Sequence, residues 1–293
     1  MADEYRRFWI TSRGETEREL LLAEAFEAGA EGAEESEAEG LFKAQVYGPA
    51  AIIEAIRAQV ADAAGNDTEV QPAEPMPEVD WSEAWKEGLD PVRISERLVV
   101  RPPFADFALE PGQKEVVIDP GQAFGIGGHA STRLCLEWID VLLASDTGRA
   151  DFDRVLDVGT GSGVLALAAV KLGAKQALGF DLDPVAIQAA DEALEVNAEA
   201  DSVRFFTGPI EEVPESEGQF PLVLANLLKQ EMLPIAGQIS ERIAKEGVLI
   251  LAGLLEEDVA EVLETFGQHG LKERGRRSRT DSVGSWVGLC LEA

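Results

Sequence analysis

The chain has 293 residues, 45% of them hydrophobic, so it is long enough to bury one large core or two smaller ones. Its formal net charge of −30 argues against nucleic acid as a direct ligand, because phosphates would be repelled. The opening segment, MADEYRRFWITSRGETE, lacks the apolar stretch of a signal peptide, and no apolar run could span a bilayer, so we expect a cytoplasmic protein without a membrane partner.

The strong negative charge has two interpretations. One is an acidic surface of the kind found in salt-adapted organisms, which the scarcity of lysine favours; the other is a basic protein partner. We favour the first as the main cause, and the two are compatible. Cys135 and Cys290 lie in apolar segments typical of buried thiols in a reducing compartment. His129 and His269 are far apart, with no cysteine or other histidine nearby, so no metal site is expected.

The first 70 residues predict a small α+β unit. RRFWITS is a strand, and TERELLLAEAFEAGA is a helix whose apolar residues recur at helical spacing. The strand candidates EGAEES and LFKAQVYG, the helix AAIIEAIRAQVADAA and the weak strand TEVQPAE complete the order β-α-β-β-α-β. This order indicates a ferredoxin-like fold for residues 1–70.

A proline-rich segment, QPAEPMPEVD, follows and is predicted to begin a linker over residues 71–104. Trp81 and Trp85 are four residues apart, on one face of a short helix. We expect them to anchor the linker to a neighbouring domain. Stacking on a ligand is the less favoured alternative.

Strands and helices alternate in the remaining chain. STRLCLEWIDVLLASD is helical and RVLDVGTG is a strand, and the same alternation continues through EEDVAEVLETFGQHG, the last helix. Strand-helix alternation predicts a parallel, doubly wound sheet within residues 105–293. LKERGRRSRTD and SWVGLCLEA close the chain as an antiparallel hairpin, and the basic LKERGRRSRTD segment is interpreted as a solvated strand.

A glycine-rich turn follows the first strand of this sheet. In VLDVGTGSGVLALAA, Gly159, Gly161 and Gly163 occupy the start of the next helix. Ligands bind at the carboxyl ends of strands in such sheets, and glycine lets the backbone approach a ligand without an intervening side chain. A tight turn without a ligand is the plain alternative, and the spacing from Gly161 also fits a nucleotide fingerprint.

Two carboxylates favour a cofactor without phosphates. Asp157 lies inside the end of the first strand, where it would face an anionic pyrophosphate; this suits a cationic or neutral ligand better. Asp181 ends the next strand, 18 residues after Gly163, where a carboxylate can accept hydrogen bonds from both ribose hydroxyls.

These features resemble the class I S-adenosylmethionine-dependent methyltransferases, whose first motif reads D-x-G-x-G-x-G and is DVGTGSG here. Three longer segments, DPGQAFGIGGHASTRLCLEWID, DWSEAWKEGLDPVRISERL and LVLANLLKQEMLPIAGQIS, are similar to those of the PrmA family, bacterial methyltransferases of ribosomal large-subunit protein eleven. The resemblance covers roughly 80–293 by motif and 1–75 by architecture. It implies a Rossmann-like, seven-stranded methyltransferase domain preceded by a small ferredoxin-like domain that recognises the substrate.

The resemblance also implies the site residues. Asn226 would sit beside the reacting amine, and His129 is the other catalytic candidate. The residues expected to bind S-adenosyl-L-methionine are Phe124, Gly125, Asp157, Gly159, Gly161, Gly163, Asp181, Gly208, Ile210 and Asn226.

Simpler structural roles compete with several of these assignments. Asn226 could be a turn residue, Asp181 could cap a helix although Asp183 is the better cap, and for His129 a buried loop role is favoured over catalysis. Ile126 replaces the threonine of the family's F-G-T-G pattern, which puts substrate choice and rate in doubt more than cofactor binding. Ala130 stands at a position that is often proline.

The implied activity is methyl transfer to lysine or N-terminal amines of a basic ribosomal large-subunit protein, by a monomer without direct nucleic-acid contact. A class I methyltransferase of another protein lysine and a cofactor-binding module that has lost catalysis remain as alternatives. A nicotinamide oxidoreductase is a further one, but the chain lacks the expected glycine spacing at the strand end and a clear hydride-transfer site.

Overall fold

The computed structural model describes residues 5–38, 40–65, 68–75, 89–120, 128–144, 151–281 and 284–293. The chain divides into two compact units, Met1–Glu87 and Gly88–Ala293, and this division falls inside the 71–104 stretch expected to be a linker. Trp81 and Trp85 lie outside the described residues, so their anchoring role stays a prediction. Among the helices of the described ranges, none is both long and apolar enough to cross a membrane.

The first unit is an antiparallel sheet with two helices. Its elements are β1 (Tyr5–Ser12), α1 (Glu15–Glu27), β2 (Gly32–Ala38), β3 (Leu41–Pro49), α2 (Ile53–Ala63), β4 (Glu69–Val70) and β5 (Glu74–Pro75). The strand order is β2-β3-β1-β4, and β5 also pairs with β1. The β-α-β-β-α-β succession in this order confirms the ferredoxin-like prediction.

Alternation along β1 separates the two faces of this sheet. Phe8 and Ile10 are fully buried and pack with Leu21 of α1 and Ile56 of α2. Trp9 lies between them in the sequence and is partly exposed. Successive side chains of a strand point to opposite faces, so the helices cover one face of the sheet and Trp9 is on the other.

The second unit contains a three-stranded sheet, β6-β7-β8, and a seven-stranded sheet in the order β11-β10-β9-β12-β13-β15-β14. The elements are β6 (Val92–Arg93), β7 (Leu98–Arg101), β8 (Lys114–Val117), α3 (Ala130–Leu142), β9 (Arg154–Val158), α4 (Val164–Leu172), β10 (Gln176–Asp181), α5 (Pro184–Asn197), β11 (Val203–Thr207), β12 (Phe220–Asn226), α6 (Lys229–Met232), α7 (Ala236–Glu241), β13 (Ile243–Leu255), α8 (Val259–Gln268), β14 (Lys272–Thr280) and β15 (Ser285–Glu292). Short 3-10 turns occupy Ile210–Glu212, Glu215–Glu217, Leu233–Ile235 and Glu256–Asp258.

The strand directions confirm a doubly wound sheet with an antiparallel end. Strands β9 to β13 pair in parallel, and β15 is antiparallel to both β13 and β14. The order reverses at the adjacent strands β9 and β12, because the chain continues outward from β9 to β10 and β11 on one side and from β12 to β13 on the other. Ligands of such sheets bind outside this switch point.

Helices cover both faces of the seven-stranded sheet. Val155 packs in the cluster that contains Leu165 of α4, whereas the next residue, Leu156, packs with Phe266 of α8. Asp157 shares a face with Val155, so its side chain turns toward α4. Strand β9 is therefore buried on both faces, and the carboxylate of Asp157 lies under α4.

The cationic strand β14 lies at the edge of the sheet, and its side chains are exposed or half-buried, as predicted. Arg277 and Arg279 form ion pairs with Glu137 of α3, and the Arg277 guanidinium lies 4.8 Å from the ring centre of Trp138. These contacts tie the hairpin to α3. Cys135 and Cys290 are buried free thiols, which fits the sequence interpretation.

Candidate active site

A cleft of about 780 Å³ lies at the carboxyl ends of β9, β10 and β12, outside the switch point of the sheet. One part is lined by residues that follow β9, β10 and β11, and the other by residues of α3, β12 and β15. The lining residues are His129, Ser131, Val158, Gly159, Gly161, Phe180, Asp181, Leu182, Asp183, Pro209, Ile210, Glu211, Asn226, Leu227, Leu228, Gln230, Glu231, Pro234, Ile235, Gly253 and Trp286.

The glycine turn after β9 brings bare backbone to the cleft. Gly159 has φ +68°, and a Cβ there would lie 2.4 Å from the Leu227 side chain. Gly161 also lines the cleft with a positive φ, +55°. Gly163 has φ +77° and is not among the lining residues of the described chain; a Cβ on it would meet the Phe205 ring at 2.7 Å. The first two glycines thus face the cleft, whereas the third lets α4 start close to its neighbours.

Asp181 is held in place by backbone amides. The amide of Gly161 donates to its Oδ2 at 3.0 Å, and the amide of Asp183 donates to its Oδ1 at 3.1 Å. Each carboxylate oxygen can accept a further hydrogen bond, and the residue lines the cleft. The cap of α5 is Asp183, whose Oδ1 accepts from the amide of Val185 at 2.8 Å.

Asp157 lies behind the turn and is fully buried. Its Oδ2 accepts from Thr160 Oγ1 at 2.7 Å and from the amide of Ala166 at 3.2 Å, but its Oδ1 has no hydrogen-bond partner among the described residues. Burial raises the pKa of Asp157 to about 7, opposed by those two hydrogen bonds and assisted by the nearby charge of Asp181. A buried acceptor without a donor is unusual, but Asp157 is not among the described residues that line the cleft, so it supports the glycine turn from behind.

The far wall of this part of the cleft is apolar. Ile210 and Phe180 are buried there, and Leu182 is 73% exposed although it follows directly after Asp181. Gly208 is not one of the lining residues in the described part of the chain. Its φ is +155°, and its amide donates to the carbonyl of Asp181 at 2.9 Å, so it shapes the turn that carries Ile210.

Asn226 ends β12 on the other side of the switch point. Its Nδ2 donates to Thr132 Oγ1 at 3.2 Å, and Thr132 is fully buried at the start of α3. Its Oδ1 is buried and has no hydrogen-bond partner within the described ranges. The amide is thus oriented by one hydrogen bond, and its carbonyl oxygen is left to accept another.

His129 is the N-cap residue of α3. Its Nδ1 accepts from the amide of Ser131 at 3.3 Å and lies 2.8 Å from Ser131 Oγ. Its ring also contacts Trp286, with 4.7 Å between ring centres and 71° between planes. The predicted site residues Phe124 and Gly125, and the variant position Ile126, lie outside the described residues.

Sequence reasoning missed Trp286, which lines the cleft beside His129. The sequence contains a signal for its position. The final strand of the sheet was expected to be antiparallel, so its first residues had to lie at the edge where the parallel strands end.

Comparisons with known proteins identify the family. The family model described as "Ribosomal protein L11 methyltransferase (PrmA)" matches residues 10–290. The chain belongs to the PrmA family.

Curated relatives carry the name of this family. A protein of Geobacter sulfurreducens named "Ribosomal protein L11 methyltransferase" is 45% identical over 192 residues, which is 66% of this chain and 60% of that protein. One of the same name from Geobacter metallireducens is 40% identical over 217 residues, 74% of this chain and 67% of that protein. The chain thus aligns with only about 60% of the length of the first of these relatives.

A solved structure supports the fold. The ribosomal protein L11 methylase of Lactobacillus delbrueckii subsp. bulgaricus superposes with a TM-score of 0.60 and 27% sequence identity. The match covers 69% of this chain and 97% of that one. The Rossmann-like class I methyltransferase architecture expected from the sequence is therefore confirmed.

Proposed function

We propose that this chain is an S-adenosylmethionine-dependent protein N-methyltransferase, and that its substrate is the ribosomal large-subunit protein for which its relatives are named, L11. One observation carries the proposal. The cleft joins a glycine turn and an anchored carboxylate, Asp181, to the Asn226 carbonyl oxygen, which is buried without a partner among the described residues.

The residues of the cleft fit this cofactor. Asp181 can accept from two ribose hydroxyls, and the apolar wall with Ile210 suits a flat base. The backbone of Gly159 and Gly161 leaves room for the amino-acid portion. Asp157 is buried behind the glycine turn and is not among the described residues that line the cleft, so it supports the turn rather than the ligand. When bound, S-adenosylmethionine supplies an electrophilic methyl group on a sulfonium sulfur.

The chain's own contribution to the reaction is orientation and desolvation. An amine attacks with its lone pair, whereas a lysine amine has a reference pKa of about 10.4 and must first lose a proton. A partly desolvated site beside a positive charge lowers that pKa. Asn226 Oδ1 can then accept one N–H of the amine and point the lone pair at the methyl group, while Thr132 holds the amide in place.

His129 fits a shaping role better than that of a general base. Its Nδ1 lone pair is already engaged by the Ser131 amide, so this nitrogen cannot take a proton without losing the cap of α3. We therefore assign proton loss from the amine to the solvent that reaches the cleft before transfer, and keep His129 as a wall residue.

The first unit is the proposed docking platform. Residues 1–80 contain 19 acidic and 6 basic residues, which suits a basic ribosomal protein. A docked substrate is presented at a raised local concentration. We infer lysine or N-terminal amines as acceptors, a monomeric enzyme, and a cytoplasmic site of action, where a ribosomal protein is met.

The test is a methyl-transfer assay with labelled S-adenosylmethionine and purified L11, followed by mass spectrometry of the modified residues. We expect methyl groups on amines of L11 and none on a ribosomal protein of matched charge. Calorimetric binding of S-adenosylhomocysteine without any transfer would identify a cofactor-binding module instead. Transfer to another protein but not to L11 would assign a different protein substrate.

A further inference from the structure

Trp286 is a buried ring in the cleft whose orientation is fixed. It is 8% exposed, and its indole Nε1 donates to Asp281 Oδ2 at 2.8 Å. Asp281 is itself fixed, because its Oδ1 accepts from the amide of Gly284 at 3.2 Å and its amide donates to the carbonyl of Gly284. The hairpin turn thus holds the indole by its polar edge.

The start of α3 places this ring at the same end of the cleft as Asn226. Thr132 receives the hydrogen bond from Asn226, and His129, three residues earlier, makes the ring contact with Trp286. Strand β13 gives a second link, because Asn226 pairs with Ala252 and Trp286 pairs with Leu255 along it. Two independent elements therefore bring the amide and the indole to the acceptor side of the cleft.

Asn226 and Trp286 offer an amine different interactions, a hydrogen-bond acceptor and an aromatic ring. The Asn226 carbonyl oxygen can help only while the nitrogen still carries an N–H, and each methyl group added removes one. An indole ring attracts a cation, and N-methyl groups carry that charge without needing hydrogen-bond acceptors. Positive charge develops on the attacking nitrogen during transfer, so the ring's attraction grows toward the transition state.

We propose that Trp286, oriented by Asp281, is the specificity-determining wall for amines that already carry methyl groups, whereas Asn226 serves the unmethylated amine. This assignment rests on the proposed methyl transfer to a protein amine. Trp286 touches the substrate nitrogen and its methyl groups, and Asp281 acts through Trp286 as a positioning residue.

The experiment compares three acceptors, the unmethylated, monomethylated and dimethylated forms of one L11 peptide, at saturating S-adenosylmethionine. Trp286→Leu keeps an apolar side chain, although a smaller one, and removes the ring. We expect it to lower kcat/KM for the dimethylated peptide about fivefold to thirtyfold more than for the unmethylated one, the range of a cation attracted to a desolvated indole. Asn226→Ala should show the opposite ranking. Equal losses on all three peptides in both variants would overturn the proposal.

A double-mutant cycle tests the role of Asp281. Trp286→Phe keeps an aromatic ring without an N–H donor. If Asp281 acts through the indole, Asp281→Ala lowers the dimethyl preference in the wild-type background and has no further effect in Trp286→Phe. If Asp281 only supports the hairpin turn, the loss persists in both backgrounds, which would refute the positioning role.

A binding measurement separates this inference from the proposed function. The indole N–H resonance of Trp286, identified by its loss in Trp286→Phe, is followed while N-acetyl-trimethyllysine amide is added to the full chain saturated with S-adenosylhomocysteine. We expect a saturable shift that the uncharged isostere with a tert-butyl group does not reproduce. Such a shift without any L11 methylation would reject the proposed substrate alone, and methylation with no shift would reject the wall alone.

Discussion

The Asp181 carboxylate allows a quantitative test of the cofactor site. It accepts two backbone amides, those of Gly161 and Asp183, at 3.0 and 3.1 Å, and lines the cleft at the end of β10. Replacing it with alanine removes the expected acceptor of two ribose hydroxyls. The same change frees the Gly161 amide, so the glycine turn loses one of its hydrogen bonds to β10, while the Thr160 amide still donates to the Phe180 carbonyl.

Hydrogen bonds to a charged group contribute about 1.5–3 kcal/mol, so Asp181→Ala is expected to raise the dissociation constant for S-adenosylmethionine about 10-fold to 150-fold. Asp181→Asn keeps one oxygen and should fall between the variant and the wild type. A second consequence follows from charge. The nearby Asp181 helps to raise the pKa of Asp157, so its removal lowers that pKa.

Titration calorimetry with S-adenosylmethionine and S-adenosylhomocysteine measures the change. Asp183→Ala is the matched control, because it removes a carboxylate of the same loop whose Oδ1 caps α5. It should cost about 1 kcal/mol of stability and leave affinity nearly unchanged. A folded Asp181→Ala variant with wild-type affinity, or an equal loss in Asp183→Ala, would refute the assignment.

Three further outcomes are expected. Asn226→Ala should leave cofactor affinity intact in calorimetry and lower kcat about tenfold or more, because the Asn226 oxygen acts mainly in the transition state. A normal kcat would mean that Asn226 only forms a turn. The pKa of Asp157 is raised from 3.8 to about 7. Its contribution to stability is therefore fully present below pH 3.8 and is lost as pH rises through about 7. Melting curves of Asp157→Asn should lack this pH dependence if the carboxyl causes it. A protein cut to Gly88–Ala293 should bind the cofactor but methylate L11 slowly, and only the full chain should lose kcat/KM as salt rises; equal, salt-independent rates would assign the acidity to surface solvation.

The part of the site proposed to bind the cofactor could be predicted from the sequence because its residues lie close together along the chain. The turn and Asp181 follow consecutive strands, and parallel neighbours end at the same edge of the sheet. The spacing of residues along the sequence does not show whether a given residue faces the cleft or packs behind the turn. Asp157 turns toward α4 with Val155, and Gly163 packs against Phe205, so both support the turn from behind rather than line the cleft.

Alternation could have indicated the first of these, since Asp157 is two residues after the buried Val155. No comparable signal existed for Gly163, because a Cβ there would meet Phe205 of β11 and Ala190 of α5. The packing of glycine against distant side chains is a property of the assembled sheet.

The acceptor part of the site is assembled from distant segments. Thr132 and Asn226 are 94 positions apart, and Trp286 enters only because β15 inserts antiparallel between β13 and β14. The sequence predicts the hairpin of β14 and β15. It does not show that the second strand, β15, pairs with β13 while β14 lies at the edge of the sheet. The glycine turn proposed to bind the cofactor can therefore be predicted from a single stretch of chain, whereas the proposed acceptor site depends on contacts between α3, β12 and β15.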